Sequence, residues 1–278
     1  MTAWLHVTKT NRVLSRREAA VLGLAERVEL ERSLTDAERE RISLPVVAST
    51  ASYADYRNRS PWRRYLFDFL EPLEGKTILD LGCGYYPTPV YLALAGAKRV
   101  YACDVSPRAV EYALQTAAGA GLADRGVGLV APAEQLPLPD ESIDVVHAEA
   151  TLHHLNLPRA SCELARVLKR GGKAGFKDPL GHNRLLEFAR DYLPYHWKKA
   201  AKGTDCPLCC SELEEFGRHF DQHQYRGFCF LSMAALILGR GRSRLREQLE
   251  CLDEALLNRL PFLRNYSRFV VTCVRKND

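Results

Sequence analysis

Residues 77–104, TILDLGCGYYPTPVYLALAGAKRVYACD, constrain the fold of this chain more than any other stretch. Thr77–Leu81 is a short, largely apolar run bounded by Gly75 and Gly82, which suits a strand covered on both faces. Gly82 and Gly84 let the backbone turn sharply and approach a ligand with no Cβ in the way. Thr88 before Pro89 reads as an N-cap and first helical position, so the turn feeds a helix N-terminus. Arg99–Cys103 is a second strand, with Asp104 at its carboxyl tip.

Two nucleotide-binding readings compete for such a unit. A dinucleotide site needs G-x-G-x-x-G, the second glycine for pyrophosphate approach and the last for helix packing. Gly82-Cys83-Gly84-Tyr85-Tyr86-Pro87 lacks the last glycine, and Asp80 precedes the first. A carboxylate there would repel a pyrophosphate and suit the ammonium of a methionyl group. Asp104 offers paired acceptors for two ribose hydroxyls. The pattern Asp80-x-Gly82-x-Gly84 followed by Asp104 resembles class I S-adenosylmethionine-dependent methyltransferases.

Length, charge and cysteine usage bound the remaining choices. A chain of 278 residues buries a large core, and an α/β sheet of this size is usually one unit with additions. With 46% hydrophobic and 26% charged residues, the chain reads as a soluble globular protein. The net charge of +5 permits an anionic substrate without demanding nucleic acid. The first residues, MTAWLHVTKTNR, lack the apolar region of a signal peptide. The longest mainly apolar run, Phe228–Leu238, is too short to span a bilayer, so no membrane insertion is expected. Nine scattered cysteines form no disulfide framework and imply a reducing cytoplasm.

Along the chain, Ser15-x-x-Glu18 and Thr35-x-x-Glu38 each have capping-box form and predict two charged helices, the second stopped by Pro45. Residues 1–60 are therefore expected to be a helical N-terminal segment that serves as a lid or dimerises; packing filler is the alternative. Pro61–Leu70 reads as a helix leading into the core. Ser106-Pro107 starts a helix to about Ala120, and Gly126–Ala131 and Ile143–Ala148 are further strands. Leu157–Leu168 reads as a helix closed by Lys169, Arg170 and Gly171, and Gly172–Phe176 as the fifth strand. Alternating strands and helices imply right-handed crossovers and a mostly parallel sheet.

The resemblance extends through Ala133-Glu134-Gln135-Leu136-Pro137, Ser142-Ile143-Asp144-Val145-Val146, Leu152-His153-His154-Leu155 and Glu163-x-x-Arg166-Val167-Leu168-x-x-Gly171-Gly172. This ordered series, from about Thr77 to Asp178, is similar to the methyltransferase type 11, quinone-biosynthesis-like branch. The resemblance implies a doubly wound, Rossmann-like, seven-stranded sheet whose last strand, Arg268–Val274, is antiparallel. It implies a methyltransferase domain over 61–278, with 179–240 as a substrate lid insertion. S-adenosylmethionine is the implied cofactor and S-adenosylhomocysteine the product. Tyr56, Asp80, Gly82, Cys83, Gly84, Tyr86, Asp104, Val105, Ala133, Glu134 and Glu149 are the implied cofactor-binding residues.

Two departures stand out. The family often has glycine where Tyr86 stands, so a ring either crowds the methionyl end or closes over it. It also places an aspartate where Pro132 stands, which leaves the Ala133 backbone for the adenine edge and Glu134 as a substitute carboxylate.

Methyl transfer from a sulfonium asks the protein to align the acceptor, exclude water and take a proton where the acceptor carries one. Glu149, His153, His154 and Asp178 stand where that chemistry would occur and are the catalytic candidates; packing is the competing role for the histidines. His147 is expected to pack within its strand. Tyr53, His182, Asn183 and Trp197 are candidates for substrate binding, although Asp178-Pro179-Leu180-Gly181-His182-Asn183 also reads as a structural turn.

Cys206, Cys209, His219 and His223 invite a zinc reading, but the gap between Cys209 and His219 is short for a finger. Asp205-x-Pro207-Leu208 followed by Glu212-Leu213 also resembles a metal-free helix start, and no metal is assigned. Arg240, Arg242, Arg244 and Arg246 form either a solvated turn or an anion clamp; without interleaved aromatics they do not describe a nucleic-acid groove. The expected function is methyl transfer to a small organic acceptor at oxygen, carbon or nitrogen. The alternatives are a peptide or macromolecular acceptor, and a cofactor-binding partner that transfers nothing.

Overall fold

A computed structural model describes residues 23–39, 52–183, 207–237 and 244–277. Seven strands form one sheet: β1 Thr77–Leu81, β2 Arg99–Asp104, β3 Gly126–Val130, β4 Ile143–Glu149, β5 Leu168–Pro179, β6 Gln222–Phe228 and β7 Phe269–Arg275. Their order is β3-β2-β1-β4-β5-β7-β6. The pairs among β1 to β5 are parallel, and β7 runs antiparallel between β5 and β6. The expected doubly wound sheet with its antiparallel last strand is the observed one.

Alternation along the strands builds a core on each face. Leu79, Val146 and Phe176 point toward α6 (Leu157–Val167) and α7 (Cys210–Gly217), where Leu164, Leu213 and Phe216 are fully buried. Ile78, Val145 and Val271 point the other way, toward α2 (Tyr53–Asn58), α3 (Pro61–Leu70) and α4 (Thr88–Leu94), meeting Tyr56, Phe67 and Leu92. α5 (Pro107–Gly119) begins as the sequence predicts: Ser106 Oγ accepts the amide of Ala109, and Pro107 opens the helix.

Four local expectations are corrected. Thr35 does not open a helix, because α1 runs unbroken over Leu24–Arg39; Ser15 and Glu18 lie outside the described residues. Thr88 is not a cap, since α4 starts at Thr88 itself and its hydroxyl pairs with Tyr56. Lys169, Arg170 and Gly171 do not trail a helix; β5 already starts at Leu168 and bulges, its register jumping from Ile143↔Leu168 to Val145↔Lys173. Gly171 takes the positive φ of 73° that this bulge requires.

The fourth concerns the span 179–240. Within it, β6 is an edge strand of the sheet, and Leu208, Leu213, Phe216 and Phe220 belong to the core on the α6–α7 face. Residues 207–228 are thus framework rather than lid, held by hydrophobic burial that periodicity in so short a stretch does not reveal. Residues 184–206 and 238–243 are outside the description. The remaining described α-helices are α8 (Met233–Ile237) and α9 (Arg244–Arg259), and none of the described helices is long and apolar enough to cross a membrane.

Candidate active site

The β1–α4 turn is built around glycines that no other residue replaces without strain. Gly82 and Gly84 have φ of 66° and 49°. A Cβ on Gly82 would sit 2.4 Å from Thr151 Oγ1. Thr151 is fixed there because its hydroxyl donates to the carbonyls of Leu81 and Glu149. The turn is therefore clamped between β1 and the loop after β4.

Asp104 meets this turn from the end of β2. Its carboxylate accepts from the amides of Gly84 (3.0 Å) and Ser106 (2.9 Å) and is only 7% exposed. Burial pushes it above the ordinary carboxylate range, and backbone donors at Ser106, Gly84 and Val105 oppose that rise. Each oxygen keeps a second acceptor site, so the carboxylate is oriented for a pair of hydroxyls.

Asp80 lies deeper. Its Oδ1 is 2.6 Å from His147 Nδ1, the two residues being register partners across β1 and β4. Its Oδ2 is buried with no hydrogen-bond partner among the described residues. His147 packs within its strand as expected, stacked on Phe67, and its buried Nε2 lies 3.7 Å from Glu149 Oε1 with no hydrogen-bond partner among the described residues.

Glu149 ends β4 on the same face. It accepts from Tyr56 Oη at 3.1 Å and from Arg63 at 3.3 Å, and Tyr56 in turn pairs with Thr88 at 2.9 Å. Arg63 also stands over the Tyr56 ring. Lys177, paired with Glu149 across β4 and β5, adds a further cation. Burial alone would raise Glu149; Arg63, His147 and Lys177 outweigh it and hold this carboxyl below its ordinary range.

His153 and Asp178 occupy the opposite face. Strand parity separates Asp178 from Lys177, and Asp178 is 1% exposed. Its Oδ1 is 2.8 Å from His153 Nδ1 and also receives the His153 amide. With Nδ1–H donating, Nε2 becomes the proton-accepting nitrogen. Glu149 and the His153–Asp178 pair, one group in the sequence, thus flank the strand ends from two sides.

α1 lies across these ends. Arg27 pairs with Glu134 at 2.9 Å, Arg32 donates to the Val105 carbonyl, Glu31 pairs with His154 at 3.3 Å, and Asp36 accepts from Ser106 and Tyr85. Nothing in the sequence reveals these contacts, because the partners lie 49 to 123 positions away.

Several expected residues are engaged elsewhere. Glu134, expected as a substitute for an adenine-binding aspartate, has its Oε1 engaged by the Asn156 amide and by Arg27. Cys83 is buried against Ala102 and Ala113, so its backbone alone faces the turn. Tyr86 is 48% exposed, and its ring lies beside Gly84. Tyr53 donates to Glu71 and packs on Phe67.

His182 Nε2 accepts the Cys210 amide and so caps α7, while Asn183 donates to the Tyr266 carbonyl. The helix expected from Arg184, which Asn183 would cap, lies outside the described residues. Trp197, like Cys206, Arg240 and Arg242, lies outside the described residues. Cys209 and Glu212 form a capping box, His219 pairs with Ser161, and His223 lies beneath Gly217.

Comparison with known proteins bears on this geometry. A family model described as a methyltransferase domain matches residues 79–176. The aklanonic acid methyltransferase DauC of Streptomyces sp. (strain C5) is 31% identical over 162 residues, covering 51% of this chain and 71% of the relative. The chain belongs to the class I S-adenosylmethionine-dependent methyltransferases. A 27-O-demethylrifamycin SV methyltransferase of Amycolatopsis mediterranei (strain S699) is 37% identical over 105 residues, 37% of this chain. That match spans only 39% of the relative's own length. Among solved structures, the [4+2]-cyclase SpnF shares the fold over 95% of this chain and 98% of its own, with a TM-score of 0.57 and 18% identity.

The residues of this methyltransferase fit the family's cofactor. The unpartnered, buried Asp80 Oδ2 suits an ammonium, and Asp104, oriented by the Gly84 amide, suits the ribose. Arg63, Thr88, Thr151 and Lys177 escape motif reading. Arg63 and Thr88 sit in helices whose apolar pattern dominates, and Lys177 directly precedes the more conspicuous Asp178.

Proposed function

We propose that this chain transfers a methyl group from S-adenosylmethionine to a small organic acceptor, with His153 taking the acceptor's proton. The observation that carries this is the buried His153–Asp178 pair at the carboxyl ends of the parallel strands, where open α/β sheets bind ligands. When bound, the cofactor supplies an electrophilic methyl on a sulfonium. Asp80 would hold its ammonium and Asp104 its ribose.

The protein's own residues do the rest. Asp178 holds the His153 ring so that Nε2 is basic, and stabilises the imidazolium that forms. Glu149 is a poor base, because Arg63 and Tyr56 stabilise its ionised form; it orients the site by fixing Tyr56 beside Thr88. α1 reduces water access from above through Arg27, Glu31, Arg32 and Asp36. The segment 1–60 serves on this reading as a lid. The relatives named for 27-O-demethylrifamycin SV and aklanonic acid support a small organic acceptor.

The test has two parts. Calorimetry with S-adenosylhomocysteine measures the cofactor half; unaltered affinity in the Asp80→Ala/Asp104→Ala variant refutes it. Methyl-labelled cofactor presented with metabolite extracts measures the acceptor half. A labelled small product is expected, and binding without any labelled product refutes transfer.

A further inference from the structure

A cleft of about 250 Å³ opens at the amino-terminal ends of the strands, the end of the sheet remote from the site above. Lys76, Arg170, Lys173 and Arg275 line it, against a single carboxylate, Asp144. The β5 bulge forms one wall, and its Gly172 has no room for a side chain, because a Cβ would lie 2.7 Å from the Lys169 carbonyl.

One oxygen of that carboxylate, Oδ2, is already engaged. Asp144 accepts from the Thr77 amide and from Lys169 Nζ, both at 2.9 Å. Arg170 pairs with Glu141 at 3.7 Å, whereas Lys76, Lys173 and Arg275 have no ion pair among the described residues. Lys173 donates only to a neutral group, the Glu71 carbonyl, at 2.7 Å. Lys76 has no ion-pair partner among the described residues, and Arg275 Nε is buried with no hydrogen-bond partner among them.

The sheet itself forces two of these cations together. Lys173 and Arg275 are direct register partners across the antiparallel β5–β7 pair, where like charges are destabilising. Burial lowers the Lys173 ammonium below its ordinary range, and repulsion from Arg275 and then Lys76 lowers it further. An anion placed among the three would reverse that repulsion, and a guanidinium beside two ammonium groups matches the oxygens of a phosphate.

We propose that this cleft is a second ligand site, binding a compact phosphate dianion through Lys76, Lys173 and Arg275. The ligand is either free phosphate or the phosphate end of a small phosphomonoester. The test is thermal melting of the full chain at constant ionic strength in chloride, inorganic phosphate or glycerol 3-phosphate. Excess S-adenosylhomocysteine is present throughout, to occupy the carboxyl-end site.

A saturable rise in melting temperature with phosphate over chloride is expected. The Lys76→Gln/Arg275→Gln variant should melt at or above the wild type in chloride, since repulsion is removed, and should bind phosphate roughly tenfold or more weakly. Equal stabilisation by glycerol 3-phosphate identifies a phosphomonoester, and stabilisation by inorganic phosphate alone identifies the free ion. The proposal is overturned by a phosphate shift no larger than that of chloride, by an equal shift in the variant, or by a variant that melts lower in chloride.

Discussion

Gly82→Ala is the sharpest perturbation of the cofactor turn. Alanine at a φ of 66° brings left-handed strain of about 1–2 kcal/mol. Its Cβ would also meet Thr151 Oγ1 at 2.4 Å and Cγ2 at 2.8 Å, an overpacking cost of about 1–3 kcal/mol. Together the loss is about 2–5 kcal/mol. Thr151→Ala alone loses hydrogen bonds to Leu81 and Glu149, at a cost of about 1 kcal/mol. In the double variant the two closest contacts vanish, leaving Thr151 Cβ at 3.2 Å, so the overpacking part is relieved and the strain remains.

Urea unfolding of the four proteins gives the coupling, expected at about 1–3 kcal/mol and favourable. Additive losses would refute the claim that Thr151 clamps the turn. A loss under about 0.5 kcal/mol in Gly82→Ala would refute the left-handed geometry itself.

Three further outcomes are expected. Asp104→Asn turns an amide NH₂ toward one of the two backbone donors and weakens S-adenosylhomocysteine binding by roughly 10- to 100-fold in calorimetry; a change below about threefold counts against a ribose role. Asp178→Asn lowers turnover by roughly 10²- to 10⁴-fold and displaces the pH–rate profile, while cofactor affinity stays within about twofold; an equal loss of both points to a structural role instead. Glu149 is held low by Arg63, His147 and Lys177 against burial, so its contribution to stability is complete above the ordinary glutamate value of about 4.3 and disappears as pH falls through the lower folded value. The melting-temperature gap between wild type and Glu149→Gln should therefore narrow with acidification across that window, and a constant gap contradicts it.

The contrast between Asp104 and Glu134 shows how much of the site is legible in sequence. Asp104 is fixed by its own neighbourhood: it ends a strand, and its donors are two residues ahead and one glycine turn behind. Glu134 sits in a motif equally suggestive by spacing, yet Arg27, more than a hundred residues upstream, engages it. His182 is a parallel case, since its role as a helix cap requires Cys210 to fold back beneath it.

By itself the sequence determined the α/β alternation, the glycine turn with Asp80 and Asp104, and the order of motifs along a parallel sheet. Those features are local: a backbone conformation, a periodicity, a carboxylate at a strand tip. Tertiary structure alone decided that His147 pairs with Asp80, that the His153–Asp178 pair lies on the other face, and that α1 covers the strand ends. It also decided that residues 207–228 complete the sheet and that Lys173 faces Arg275 at the far end. Each depends on which strands become neighbours and on the parity of each residue within them, and spacing along one strand carries neither.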